Sequence, residues 1–395
     1  MKKTLAIATL LFLFIQLAGF GQNRSITFID KPVAELLKMA KAQNKLVFVD
    51  GFTTWCGPCK WMAANMFTND TIADYYNKTF ICAHFDMEKG EGPEIAKTFQ
   101  VMAYPTLLFI NGDGELVHKR VGVAQKVRDY LDMGAVALTP GEGFTACLKQ
   151  YQAGNRDQKF IMKFCERLKE AYMPFDDPVQ QYFATQKESS LTSRGNWDMI
   201  YNYLSDMNSS VFEYLLHHQK EYMKLYTKDS VNAKIYSVFF QAITAGSKNK
   251  AASDSNFKEL TQKIKNSGFE QAGMVIFDGT LNLHVMRGEL DKFLDLAVSG
   301  LDTYYSGDYV KLNKMAFTFS QLTKEKKYLE KAAEWAKKAI VLKNSAENND
   351  TYANLMFKLG NKGEAVKYEQ KALDAAIQEK ISTKPFETSL KIFKQ

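Results

Sequence analysis

Cysteine, proline, histidine and tryptophan are all scarce in this 395-residue chain, which has five, eight, five and four of them. Five cysteines are too few to staple a small disulfide scaffold, and the odd number leaves at least one thiol without a partner in the chain. With eight prolines and 23 glycines, collagen-like and low-complexity classes are excluded. Beyond residue 21 no apolar run approaches the roughly 20 residues of a spanning helix, which excludes a polytopic membrane protein. A clustered basic face is also missing. Residues 22–138 carry 13 basic and 13 acidic side chains, and residues 139–395 dilute 36 basic against 31 acidic, so no nucleic-acid partner is indicated. What remains is ordinary globular composition, 46% hydrophobic and 24% charged, long enough for two or three domains.

Residues 1–21, MKKTLAIATLLFLFIQLAGFG, place Lys2 and Lys3 before an apolar run from Leu5 to Leu17, then small residues Gly19 and Gly21. That order is an export signal with cleavage near Gly21/Gln22. No cysteine follows to carry a lipid anchor. The expectation is a periplasmic or otherwise exported protein with no stable membrane span after cleavage, in a compartment where disulfides persist.

From Ser25 to about Leu138 helical and strand patterns alternate. Pro32–Gln43 repeats Val33, Leu36, Leu37 and Ala40 at helical spacing. Lys45–Asp50 and Thr79–Phe85 read as strands, and a helix opens at Pro93. Thr106–Ile110 and Glu115–Val121 flank Asn111-Gly112-Asp113-Gly114, a hairpin signal. Gln125–Leu138 closes the unit as a helix. The order predicts a mixed sheet with helices on its faces over 22–138. After Thr139-Pro140-Gly141 strand signals nearly vanish, predicting an all-α region over 139–395. Within it KAAEWAKKAI (331–340) aligns with EAVKYEQKAL (364–373) at an offset of 33. Ala332 and Ala339 fall on Ala365 and Ala372, and Trp335 on Tyr368. This resembles the tetratricopeptide pattern, whose stacked helix pairs form a solenoid that can hold a protein partner.

The chemistry concentrates in Trp55-Cys56-Gly57-Pro58-Cys59-Lys60, directly after a strand and opening a helix. Cys56 near a helix N-terminus has unpaired backbone N–H groups and the macrodipole to favour its thiolate. A thiolate is the attacking species in disulfide exchange. Cys59, one turn on, faces the same side and can resolve a mixed disulfide. Pro58 has no N–H to lose in the first turn and stiffens the loop, while Gly57 leaves the approach open. A zinc site would need four ligands, and no second CxxC or suitable His pair exists.

Here the chain resembles thioredoxin. WCGPCK occurs whole; Asp50 lies six before Cys56, where thioredoxins bury a carboxylate; and Tyr104-Pro105-Thr106 precedes the TLLFI strand, where they carry a cis-proline loop. The resemblance spans roughly 26–135 and implies the thioredoxin fold. It implies that Cys56 attacks, Cys59 resolves and Asp50 accepts a proton, with burial raising its pKa. Trp55, Gly57, Pro58, Tyr104 and Pro105 would then face the substrate. It implies no metal and no cofactor beyond the Cys56–Cys59 pair. The partners implied are protein substrates with disulfides and an electron donor. Three features depart from many thioredoxins: Gly51-Phe52-Thr53-Thr54, His84 where a lysine is common, and Lys89-Gly90-Glu91-Gly92. They place the domain nearer the exported branch, with the direction of electron flow open. A second class of function stays open too, a helical binding scaffold with a redox-weak appendage.

Other candidates read as structural. Cys82 is a buried strand residue. Cys147 and Cys165 face each other across a helical hairpin about Gly154-Asn155, as buried free thiols or as a disulfide. His84 is a strand residue near Asp50, His118 an exposed hairpin residue, and His217, His218 and His284 lie in helices without partners. Tyr201, Tyr203, Phe212, Tyr214, Tyr222 and Tyr226 pack between helices.

Overall fold

Four short strands alternate with helices in the first part of the chain, and helices alone follow. The computed structural model describes residues 24–245 and 253–395, so the expected export signal lies outside the described residues. Strands β1 (Val47–Phe52), β2 (Ile81–Asp86), β3 (Thr106–Ile110) and β4 (Leu116–Val121) form one sheet in the order β2-β1-β3-β4. β1 runs parallel to β2 and antiparallel to β3, and β3 antiparallel to β4. A parallel pair needs a crossover, supplied by helices α2 (Gly57–Asn65) and α3 (Asp70–Thr79).

Alternation along the strands divides the core in two. Phe48, Cys82, Leu107 and Phe109 face Met62, Tyr76 and Tyr130. Val47, Val49, Ile81, Ala83, Leu108 and Ile110 face Leu36 and Ala40 of helix α1 (Val33–Gln43) and Ile95 of helix α4 (Gly92–Thr98). Asp50 shares the parity of Phe48, so it stands on the side covered by α2, α3 and helix α5 (Val127–Leu138). The expected strand at 45–50 lies two residues later, because Gly51 and Phe52 pair with Phe85 and Asp86 of β2. Tertiary pairing carries β1 across a glycine that propensity alone would make a stop.

The β3–β4 hairpin closes as its sequence requires. The Asn111 side-chain oxygen accepts from the backbone N–H of Asp113 and Glu115, and Gly114 takes φ +83°. Gly92 is fixed by crowding instead. A Cβ there would lie 1.9 Å from the carbonyl oxygen of Asp86 and 2.8 Å from the Cα of Met87. Backbone atoms cannot swing aside, so Gly92→Ala is expected to lower stability by about 1–3 kcal/mol, read as a drop in the urea midpoint at unchanged slope.

Beyond Leu138 the described chain is helical. One compact unit ends at Leu204 and the other spans Ser205–Gln395. The change from strands to helices falls at Thr139, but the first unit continues past it. Helices α6 (Phe144–Gln152) and α7 (Gln158–Glu170) pack on β4, where the Thr145 hydroxyl donates to the Leu116 carbonyl at 2.6 Å. This cover overturns the expectation for His118. It is fully buried, with Glu170 of α7 4.0 Å from its Nε2. Burial, with Arg167 and Arg120 adding to it, pushes its pKa down to about 3, so it is a neutral core residue. α6 and α7 form the expected hairpin about Gly154, and Cys147, Cys165 and Cys82 are buried free thiols. Helices α8 (Asp176–Ala184) and α9 (Arg194–Tyr203) complete this unit.

The second unit comprises α10 (Ser210–His217), α11 (Gln219–Tyr226), α12 (Lys228–Ala245), α13 (Ser253–Lys265), α14 (Ala272–Arg287) and α15 (Leu290–Tyr305). It continues with α16 (Tyr309–Leu322), α17 (Lys326–Leu342), α18 (Ala346–Lys358), α19 (Lys362–Glu379) and α20 (Lys384–Lys394). The alanines of the 33-residue repeat, Ala332, Ala339, Ala365 and Ala372, are completely buried. The same spacing recurs in hydrogen bonds between helices: Tyr328 to Asp295, Trp335 to Asp302, and the Ala346 N–H to Glu379. Phe212 and Tyr222 are buried between helices, whereas Tyr201 is 45% exposed. His284 has a partner after all, the Glu289 carboxylate at 2.7 Å. No helix among the described residues is long and apolar enough to cross a membrane.

Candidate active site

β1 delivers the chain to Thr53-Thr54-Trp55, and α2 starts immediately after Cys56. Cys56 is the N-cap: its backbone is extended and its sulfur accepts the Cys59 N–H at 3.1 Å. The sulfur therefore stands where the helix has unpaired N–H groups and the positive end of its dipole, which favours a thiolate there. Cys56 and Cys59 are joined as a disulfide. Both are buried, while Trp55, Gly57, Pro58 and Lys60 around them are exposed. The disulfide thus lies just under a surface of Trp55, Gly57 and Pro58. Pro58 sits in the first turn, where its missing N–H costs nothing.

Asp50 is buried beneath this surface on β1, paired in register with His84 of β2 and Leu107 of β3. Its Oδ1 has no hydrogen-bond partner, and neither has the buried Thr53 hydroxyl. A carboxylate in that setting loses hydration without compensation, and burial pushes its pKa up to about 7. It can therefore take up or release a proton near neutral pH.

The Tyr104–Pro105 peptide bond is cis. Its loop is tied into the sheet at both ends: the Thr106 hydroxyl donates to the Ala103 carbonyl, and the Gly122 N–H to the Pro105 carbonyl. The Tyr104 ring meets the Trp55 ring edge-on at 5.9 Å between centroids. That contact joins the loop to the cysteine motif, so Trp55, Cys56, Tyr104 and Pro105 belong to one end of the sheet.

Sequence reasoning missed Glu88. Its carboxylate accepts the Trp55 indole N–H, 3.0 Å from each oxygen, so Trp55 is held by Glu88 as well as by Tyr104. The 33-residue separation leaves no periodic signal; only the placement of the loop after β2 reveals it. Met102, three residues before Pro105, is 82% exposed. Among the described residues no three His, Cys, Asp or Glu side chains converge to hold a metal ion.

The thioredoxin family profile matches residues 33–132. A thioredoxin of Staphylococcus aureus is 36% identical over 87 residues, 22% of this chain and 78% of that protein. The chain belongs to the thioredoxin family. A bifunctional thioredoxin reductase/thioredoxin of Mycobacterium leprae is 35% identical over 116 residues, 29% of this chain, and the chain spans only 24% of that longer protein. Among solved structures, a candidate disulphide-isomerase from Bacteroides thetaiotaomicron is 45% identical, covering 29% of this chain and 96% of its own, with a TM-score of 0.27. Thioredoxin F from spinach chloroplast is 25% identical over 29% of this chain and 95% of its own, with a TM-score of 0.24. The thioredoxin part is a thiol–disulfide oxidoreductase domain, followed by a long all-helical region.

Proposed function

We propose that the chain is an exported thiol–disulfide oxidoreductase that reduces or exchanges disulfides of protein substrates through Cys56 and Cys59. In this reading residues 22–138 are the redox domain, and the helix pairs of 139–395, read as tetratricopeptide-like, hold the client. The observation that carries it is a Cys56–Cys59 disulfide at a helix N-terminus with an orphaned buried carboxyl, Asp50, on the preceding strand. The Cys56 thiolate attacks a substrate sulfur. A Cys56–substrate S–S bond forms as the substrate disulfide breaks, and one substrate thiolate leaves. Cys59 then passes its proton toward Asp50 and attacks Cys56; the Cys56–Cys59 bond forms and the second substrate thiolate leaves. The substrate gains two electrons, the pair loses two, and an external dithiol donor restores it. Trp55, Gly57, Pro58, Tyr104 and Pro105 form the substrate-facing surface.

The full mature chain should accelerate insulin reduction by dithiothreitol in a turbidity assay; a rate equal to dithiothreitol alone would refute the reading. Glu88 supplies a finer check. Glu88→Ala removes the acceptor that holds Trp55, a hydrogen bond worth about 1 kcal/mol. It should raise KM for the protein substrate about fivefold with kcat nearly unchanged. A fall in kcat at constant KM would place Glu88 in the chemistry instead.

A further inference from the structure

His118, Lys119 and Arg120 follow one another on β4, and the pleat sends them to opposite faces. His118 and Arg120 turn to Glu170 of α7, at 4.0 and 3.8 Å. Lys119 turns the other way, toward the end of α4. It is only 4% exposed and has no ion pair among the described residues. Its ammonium donates instead to two backbone carbonyls, those of Phe99 at 3.2 Å and Gln100 at 3.1 Å. Both lie at the C-terminal end of α4, where carbonyls lack helical partners and the dipole is negative. Burial lowers the Lys119 pKa, because its charge leaves water without a carboxylate to meet it.

The chain beyond those carbonyls is short. Gln100 takes φ +50°, a left-handed position, and the Val101 N–H closes the helix on the Ala96 carbonyl. Met102, Ala103 and Tyr104 then lead directly to the cis bond at Pro105. Thr106 fastens the far end of this segment to Ala103, and Gly122 fastens it at Pro105. Gly122 follows β4 directly, so with Lys119 the same strand anchors the segment at both ends. We propose that Lys119 is a positioning residue for protein substrates: by holding the Phe99 and Gln100 carbonyls it seats the Met102–Pro105 segment, and with it Tyr104 against Trp55. This rests on the reading that Tyr104 and Pro105 face the substrate. Lys119 acts through the backbone and takes no part in the electron transfer. A protein substrate needs the seated segment to align its disulfide, whereas a small disulfide needs only access to Cys56.

The test is Lys119→Met in the full chain, which keeps the length of the side chain and removes its donors. Insulin reduction by dithiothreitol is followed against insulin concentration, and the pre-reduced chain is separately mixed with hydroxyethyl disulfide. KM for insulin should rise about tenfold with kcat within about twofold, and the rate with hydroxyethyl disulfide should match the wild type. Lys119→Arg, which keeps donors at this position, should recover most of the insulin KM. Amide exchange at Val101–Tyr104 should quicken in Lys119→Met while that of β3 does not. An unchanged KM, equal slowing with both substrates, exchange that quickens throughout β3 and β4, or a Lys119→Met chain that does not fold would each overturn the proposal. A wild type that does not reduce insulin refutes the redox reading, and this role with it. A wild type that does, beside a Lys119→Met variant with the same KM, refutes this role alone.

Discussion

Asp50→Asn is expected to abolish a loss of stability of about 4 kcal/mol that the wild type suffers between pH 4 and pH 7. Burial raises the Asp50 pKa from 3.8 to about 7, and each pH unit between folded and unfolded values is worth about 1.4 kcal/mol. Below pH 4 the carboxyl is protonated in both states and contributes nothing. As pH rises toward 7 the unfolded chain gives up this proton while the folded chain keeps it, so unfolding becomes easier. Above 7 both states are ionised and the loss is constant. An asparagine does not titrate, so urea unfolding of the variant should lack this component of the pH dependence. The same variant should slow disulfide reduction on the order of 10²-fold at pH 7, because nothing then takes the Cys59 proton. A variant that follows the wild type in both profiles would assign Asp50 a purely structural place.

The second large effect concerns the cysteines. Cys56→Ser should reduce insulin reduction to the rate of dithiothreitol alone, since a serine hydroxyl is not ionised at neutral pH and forms no disulfide. Cys59→Ser should retain the first step and lose the second, accumulating mixed disulfides through Cys56 that separate on non-reducing gels and disappear with excess dithiothreitol. The two variants differ because only Cys56 caps the helix, where the unpaired N–H groups favour its thiolate. Activity retained by Cys56→Ser, or trapping through Cys59 in its place, would reverse the assigned roles. Cys82 and Cys165 should not substitute, because burial pushes both thiols up to about 12.

Much of this was legible from short-range pattern. The motif, its strand and its helix are contiguous, and the Asn111–Gly114 turn fixes a hairpin by local chemistry alone. The 33-residue spacing of alanines announced helix contacts because small residues recur where helices approach. The features that were not legible depend on distant segments. His118 reads as a turn-proximal polar residue until α6 and α7 cover β4. Glu88 reads as one acid in a charged loop until β2 and β1 bring it to Trp55. His284 gains its partner only because the chain reverses at Gly288. Burial and cross-strand register are set by tertiary packing, and no window of neighbouring residues contains them.

Equilibration of Cys56–Cys59 against glutathione, followed by thiol alkylation and mass analysis of the full chain, tests the central claim most directly. If the pair is an exchanging couple that hands electrons to protein disulfides, it should titrate as a single two-electron transition centred near the thioredoxin value of about −270 mV. A pair that stays oxidised throughout, or one centred near about −120 mV as in a strong oxidant, would contradict a reductant.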